Sequence, residues 1–176
     1  MKLLIVYATT EGQTRKIARH AAEHLMGQGH AVELLAADEA GDLTLERFDA
    51  AILAGSLHAG VFQRALIGFA GAHAQELDAM HTLFMAVSLT AAGHDPEERA
   101  ELDRCVARFR DETGWQPGRV AHVAGALRFS EYGFFQYWAM RWIARHRGEK
   151  VSGKEDIEYT DWAAMERTLD DWIAAR

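Results

Sequence analysis

One cysteine and two prolines are all that a chain of 176 residues contains of either type. A single thiol, Cys105, cannot close an intrachain disulfide, which fits a reducing compartment and excludes a disulfide-stapled secreted scaffold. Its expected role is that of a small buried hydrophobe. Cations are the minority: 19 Lys and Arg against 26 Asp and Glu leave a net charge of -7, which argues against a nucleic-acid surface spread over the whole molecule. The opening apolar run, Leu3 to Tyr7, is too short for a signal peptide and reads as a strand, so the cytoplasm is the expected location. Neither a Gly-Lys-Ser/Thr phosphate loop nor a triple-glycine dinucleotide fingerprint is present, which turns attention from triphosphates and pyrophosphates to a monophosphate. What is there is a chain of ordinary hydrophobic content, 49%, expected to form one domain over residues 1–176 and to bury about 70% of its unfolded surface.

Apolar runs and periodic stripes alternate along that chain. After Leu3 to Tyr7, Ile17, Ala21 and Leu25 repeat every four residues as the inner stripe of a helix that closes near Gly27 and Gly29. Strands are predicted at Ala31 to Leu35, Ala50 to Ala54, Thr82 to Val87 and Val120 to Ala124. A helix is predicted from about Phe62, with Leu66, Phe69 and Ala70 on its inner face and Leu77 extending it. Asp95-Pro96-Glu97-Glu98 sets an N-cap, a proline at the first helical position and acids in the first turn, while Leu102, Val106 and Phe109 line the buried side. A final helix starts around Thr160-Asp161, with Trp162, Met165, Leu169 and Trp172 facing the sheet. Five strands alternating with helices require right-handed crossovers. The expected fold is α/β, a flavodoxin-like doubly wound five-stranded parallel sheet of order 2-1-3-4-5.

In such a sheet the ligand lies beyond the carboxyl ends of the strands, where the strand order reverses between strands one and three. Three loops leave strands at that end. Thr9, Thr10, Glu11, Gly12, Gln13 and Thr14 combine hydroxyl donors, a glycine for close backbone approach and the positive end of the following helix, which together suit one phosphate. Read alone, the same loop also suits a threonine helix cap. The second loop, Gly55 followed by Ser56, Leu57, His58, Ala59 and Gly60, and the third, Ser88, Leu89, Thr90, Ala91, Ala92 and Gly93, are small and polar, as the edge of a flat flavin ring requires. Flavin mononucleotide, FMN, is therefore the expected cofactor. Gly55 and Gly60 would supply unusual backbone angles around the ring. His58 could stack on the flavin, supply a proton or face water, and the solvent-facing reading is preferred. His20 and His24 have metal-site spacing but no third ligand, so no metal is expected. Glu97, Glu98, Glu101 and Asp103 read as a solvated helix face. No catalytic side chain is assigned.

Four segments carry a family resemblance: Gly12-Gln13-Thr14, Trp115-Gln116-Pro117, Ala124-Gly125-Ala126-Leu127-Arg128 and Tyr159-Thr160-Asp161-Trp162. In that order along nearly the whole chain, they resemble the flavodoxin-type, menaquinone-dependent protoporphyrinogen oxidase (dehydrogenase) family. The resemblance implies FMN, a porphyrinogen donor and a quinone acceptor, in haem biosynthesis, with Gly125 and Ala126 joining the cofactor site. Between the last two segments lies an insert of about residues 128–153 in which Phe129, Tyr132, Phe134, Phe135, Tyr137, Trp138 and Trp142 mix with Arg128, Arg141, Arg145, Arg147 and Lys150. That composition suits the headgroup boundary of a bilayer, giving peripheral association with the inner membrane, and equally a hydrophobic substrate with carboxylate arms. A contact with a second subunit is a further role open to it. An FMN-dependent NAD(P)H quinone reductase and a flavodoxin-like electron carrier are the alternative functions.

Overall fold

The computed structural model describes residues 1–41, 43–127 and 157–176. The expected aromatic-basic insert at 128–153 lies outside the described residues. Five strands, β1 (Lys2–Ala8), β2 (Ala31–Ala36), β3 (Ala50–Ser56), β4 (His81–Ser88) and β5 (Arg119–Ala124), form one sheet in the order β2-β1-β3-β4-β5. Every pairing is parallel. The fold is thus the flavodoxin-like doubly wound sheet that the alternation of strands and helices predicts. Each strand extends at least one residue beyond the sequence expectation, β5 by Arg119 at its start.

Alternation along β1 divides the core in two, because successive strand side chains point to opposite faces. Leu3 and Ile5 pack with Ile17, Ala21 and Leu25 of α1 (Gln13–Gly27) and with Met165, Leu169 and Trp172 near the chain's end. Leu4 and Val6 go to the other face, into a cluster with Leu66, Phe69, Phe84, Val106, Phe109 and Trp115. There Phe84 and Phe109 stack at 4.6 Å, and Trp115 meets both edge-on. Trp115, one of the residues carrying the family resemblance, is fully buried and holds this face together.

The single helix expected from Phe62 through Leu77 is two helices, α2 (Arg64–Ala72) and α3 (Ala74–Asp78). His73 separates them with φ -112° and ψ 18°, its N–H still bonded to Phe69 O at 3.1 Å and its ring against Phe69. Leu77 therefore packs from a separate short helix. Helix α4 (Pro96–Thr113) begins as expected: Pro96 needs no acceptor, and Asp95 Oδ1 accepts from Glu97 N at 2.8 Å. Helix α5 (Trp162–Ala174) is capped by Asp161, whose carboxylate accepts from Ala164 N. A two-stranded antiparallel ladder, β6 (Ala126–Leu127) with β7 (Ile157–Glu158), adjoins the end of β5. No helix among the described residues is long and apolar enough to cross a membrane.

Candidate functional site

A cavity of about 350 Å³ opens at the carboxyl end of the sheet, where β1 and β3 diverge to opposite neighbours. All three expected loops reach it. Its lining includes Thr9, Glu11, Gln13 and Thr14 from the first, Ser56, Leu57, His58, Ala59 and Gly60 from the second, Ser88, Leu89 and Thr90 from the third, and Gly125 and Ala126 beyond β5. Thr10, Gly12, Ala91, Ala92 and Gly93 are not part of the lining.

The first loop is a hydroxyl-rich turn feeding α1. Gly12 occupies the N-cap with φ 85°, a conformation that an L side chain would strain. Its N–H donates to Thr9 Oγ1 at 2.9 Å, and the first helical bond runs from Lys16 N to Gly12 O. The N–H groups of Gln13, Thr14 and Arg15 precede that bond and have no acceptor within the helix, and no acidic residue stands in its first turn. Thr14 is fully buried, and among the described residues its Oγ1 has no hydrogen-bond partner. A buried hydroxyl left open beside free helix-terminal N–H groups fits an anion that accepts from all of them. The residues present therefore suit the phosphate of FMN. Thr10, outside the lining, accepts from Gln63 Nε2, which also donates to Ser56 Oγ and so ties the first loop to the end of β3.

The second loop is a tight turn. His58 and Val61 exchange both backbone hydrogen bonds, at 2.9 and 3.0 Å, and the two residues between them, Ala59 (φ 50°) and Gly60 (φ 82°), are both left-handed, as a type I′ turn demands. Gly55 does not share this role, contrary to expectation. It is ordinary strand, and its small size is required because a Cβ there would collide with Leu66 Cδ2 from α2. His58 is also not a solvent-facing loop residue: it lines the cavity, and burial holds its imidazole below the usual histidine pKa. In the third loop Ser88 Oγ accepts from Ala91 N, folding residues 90–92 into a single 3-10 turn.

The fourth wall comes from α4, and the sequence did not reveal it. Glu98, Glu101, Leu102, Cys105 and Arg108 all line the cavity. Glu98 is 6% exposed, which overturns the expectation of a solvated acidic face at that position. Asp103, from the same expected face, pairs with His122 Nε2 at 2.9 Å. Cys105 is buried, and desolvation pushes its thiol pKa up, outweighing the Arg108 charge that acts the other way. The spacing 98, 102, 105 is one face of a helix, the only sequence signal that could have placed Glu98 inward.

The segments Gly125 to Leu127 and Tyr159 to Trp162, far apart in sequence, come together beside this cavity, which Gly125 and Ala126 line. Ala126 pairs with Glu158 and Leu127 with Ile157, and Tyr159 N donates to Gly125 O. Thr160, buried, donates to Ala124 O at 2.7 Å and accepts from Gln13 Nε2 at 3.0 Å. Gln13 Nε2 and Lys16 Nζ both reach Glu158 Oε2. Behind them His20 pairs with Glu166 and His24 with Asp170, each at 2.7 Å, so these two histidines bind α1 to α5.

Comparison with known proteins agrees with this architecture. A model described as a flavodoxin domain matches residues 4–152. Protoporphyrinogen IX dehydrogenase (quinone) of Escherichia coli strain K12 is 31% identical over 163 residues, covering 92% of this chain and 89% of that protein. The Leishmania major protein of the same name is 30% identical, covering 98% of this chain and 75% of that one. Oxidised flavodoxin 1 from Bacillus cereus superposes with a TM-score of 0.60 at 13% identity, over 100% of this chain and 99% of that one. The match over most of the sequence and the shared sheet order lead to one conclusion: this chain belongs to the flavodoxin-domain family.

Proposed function

We propose that the protein is an FMN-dependent oxidoreductase that oxidises protoporphyrinogen IX to protoporphyrin IX and passes the electrons to a quinone. The observation that carries the reading is that Tyr159 and Thr160 of one resemblance segment are hydrogen-bonded to Gly125 and Ala124 of another, beside a cavity that Gly125 and Ala126 line and that holds the open Thr14 hydroxyl at the start of α1. Relatives bearing the dehydrogenase name align over 92% and 98% of the chain, which supports the same reading.

FMN, when bound, supplies a two-electron acceptor. Thr9, Thr14 and the N–H groups at the start of α1 hold its phosphate. The turn at residues 58–61 and the segment 88–90 flank its ring, with Gly125 and Ala126 beside them in the cavity lining. Gln13 fixes the phosphate loop to the ladder that bounds residues 128–156. By its sequence, that segment contributes aromatic rings and arginines to the porphyrinogen or to the membrane surface where quinone resides.

The test is anaerobic reduction of the FMN-loaded protein. Protoporphyrinogen is expected to bleach the flavin absorbance rapidly and NADPH slowly, and the reverse order would establish a nicotinamide-dependent quinone reductase instead. Bleaching by neither, with retention of FMN, would indicate an electron carrier. Deleting residues 129–150 is expected to leave FMN bound while abolishing porphyrinogen turnover and binding to anionic vesicles.

A further inference from the structure

The wall that α4 gives to the cavity is graded in charge. Glu98, Glu101, Leu102, Cys105 and Arg108 fall on one stripe of the helix, with the carboxylates at one end and the guanidinium ten residues on, about 15 Å further along the axis. Glu11 of the phosphate loop adds a third carboxylate to the lining, and burial keeps the His58 imidazole uncharged near neutral pH. Arg108 is therefore the one cation that lines the cavity among the described residues. Its charge is felt within that wall: of the charges around the Cys105 thiol it acts most strongly, ahead of Glu101 and Arg104. No ion pair among the described residues occupies it, whereas Lys16, Arg47 and Arg119 are each engaged. A lone cation in a negatively lined cavity offers an entering anion a single point of attraction.

We propose that Arg108 holds a carboxylate arm of the electron donor, an inference that deepens the porphyrinogen reading of the site and rests on it. A guanidinium meets a carboxylate with two parallel N–H donors, so the contact fixes orientation as well as adding affinity. Between the charged ends of the stripe the wall is Leu102 and Cys105, and Leu57 and Gly60 also line the cavity, which gives an apolar macrocycle a surface to lie on. Gly60 stands close to Cys105, since a Cβ on it would be 3.9 Å from Sγ. Arg108, one helical turn beyond Cys105, is thereby placed beside the turn at residues 58–61 that flanks the flavin ring. Glu98 and Glu101 repel the same arm from the other end of the stripe, which leaves one orientation of the donor favoured. Arg108 selects and orients the donor and takes no part in the bond changes.

The experiment follows anaerobic bleaching of the FMN-loaded protein by protoporphyrinogen and by its dimethyl ester, which has no carboxylate, in wild type, Arg108→Gln and Arg108→Lys. FMN affinity and thermal melts are recorded alongside. Arg108→Gln is expected to need about 10-fold more of the free acid to reach half its limiting rate, the low end for a hydrogen bond to a charged group because the residue is exposed to water. The effect on the limiting rate is expected to be smaller, and FMN affinity and melting temperature to stay close to wild type. Wild type should lose the same factor on passing to the ester, and Arg108→Gln should lose nothing more. Arg108→Lys keeps the charge without the fork and should fall between the two. Fluorescence titration with protoporphyrin and its dimethyl ester should repeat the pattern without turnover. Half-saturation of Arg108→Gln by the free acid at the wild-type concentration would overturn the assignment, as would an equal loss on free acid and ester, which marks a merely structural effect. A wild-type protein that protoporphyrinogen does not bleach overturns the porphyrinogen reading and this inference with it, and is visible before any variant is compared.

Discussion

Thr14 concentrates the argument for a phosphate ligand in one atom. A buried hydroxyl without a partner destabilises a protein, and it persists where a ligand completes it. Thr14→Val keeps the shape and removes the donor. A hydrogen bond to a charged group contributes about 1.5–3 kcal/mol, so FMN should bind about 10- to 100-fold more weakly in a fluorescence titration, with the melting temperature of the apoprotein undiminished. At Gly55 the constraint is space rather than ligand. Gly55→Ala would drive a methyl into Leu66 and to 3.2 Å from Phe62 Cδ1, and overpacking of this kind costs about 1–3 kcal/mol. A lowered melting temperature in differential scanning calorimetry is the expected result, and an unchanged one would mean that α2 yields freely. The residue scale is also where the sequence misled. Nothing in a string of letters distinguishes Glu98 from its neighbour Glu97, because both suit a helix start, and only the packing of α4 against α2 and the turn at 90–92 turns one inward. His58 is hidden for the same reason: its burial is set by a turn whose left-handed alanine, Ala59, carries no sequence signal.

Elements were far easier to read. Unbroken apolar runs such as Leu3 to Tyr7 and Ala50 to Ala54 leave few alternatives to strands covered on both faces, and the Asp95-Pro96 start of α4 is local chemistry written in adjacent residues. Helices α2 and α3 merged in the sequence because the periodic spacing of Leu66, Phe69, Ala70 and Leu77 passes through the break at His73. The ladder β6–β7 was invisible for a different reason: it pairs residues about thirty positions apart, and short strands carry too little periodicity to register. Its Glu158 is nonetheless a point of control. Desolvation pushes that carboxyl up, but hydrogen bonds from Lys16, Gln13 and Trp162 together outweigh it, leaving the folded pKa below the ordinary 4.5. A depressed carboxylate stabilises the fold above its unfolded pKa, and the contribution is lost as pH falls through the folded one. Thermal melts should therefore show wild type losing stability below pH 4.5 more steeply than Glu158→Gln, which should already be the less stable at neutral pH. Parallel curves would contradict the role given to this carboxylate.

For the molecule as a whole, the sheet and its cavity form a flavin-binding body to which residues 128–156 are added at one place. Leu127 and Ile157 are directly paired, so the two ends of that segment leave from adjacent positions. A two-residue Asn-Gly connection across the pair should close a simple hairpin. The shortened protein is expected to fold and to keep its FMN affinity within a few-fold, while porphyrinogen no longer bleaches it. Retained bleaching would assign the donor site wholly to the cavity walls. The flavodoxin-like body was legible in the sequence because its strands and strand order obey rules of sheet geometry. The proposed donor side rests on the resemblance alone, since aromatic and basic composition suits both a lipid surface and a porphyrinogen.

The claim on which all scales depend is that the loop from Thr9 to Thr14 grips a phosphate without a lysine. Calorimetric titration of the apoprotein with FMN and, separately, with riboflavin tests it most directly. The loop should hold FMN at least about 100-fold more tightly, a difference of about 2.7 kcal/mol that only the phosphate can supply. Equal affinity for the two flavins, or no heat with FMN, would contradict it.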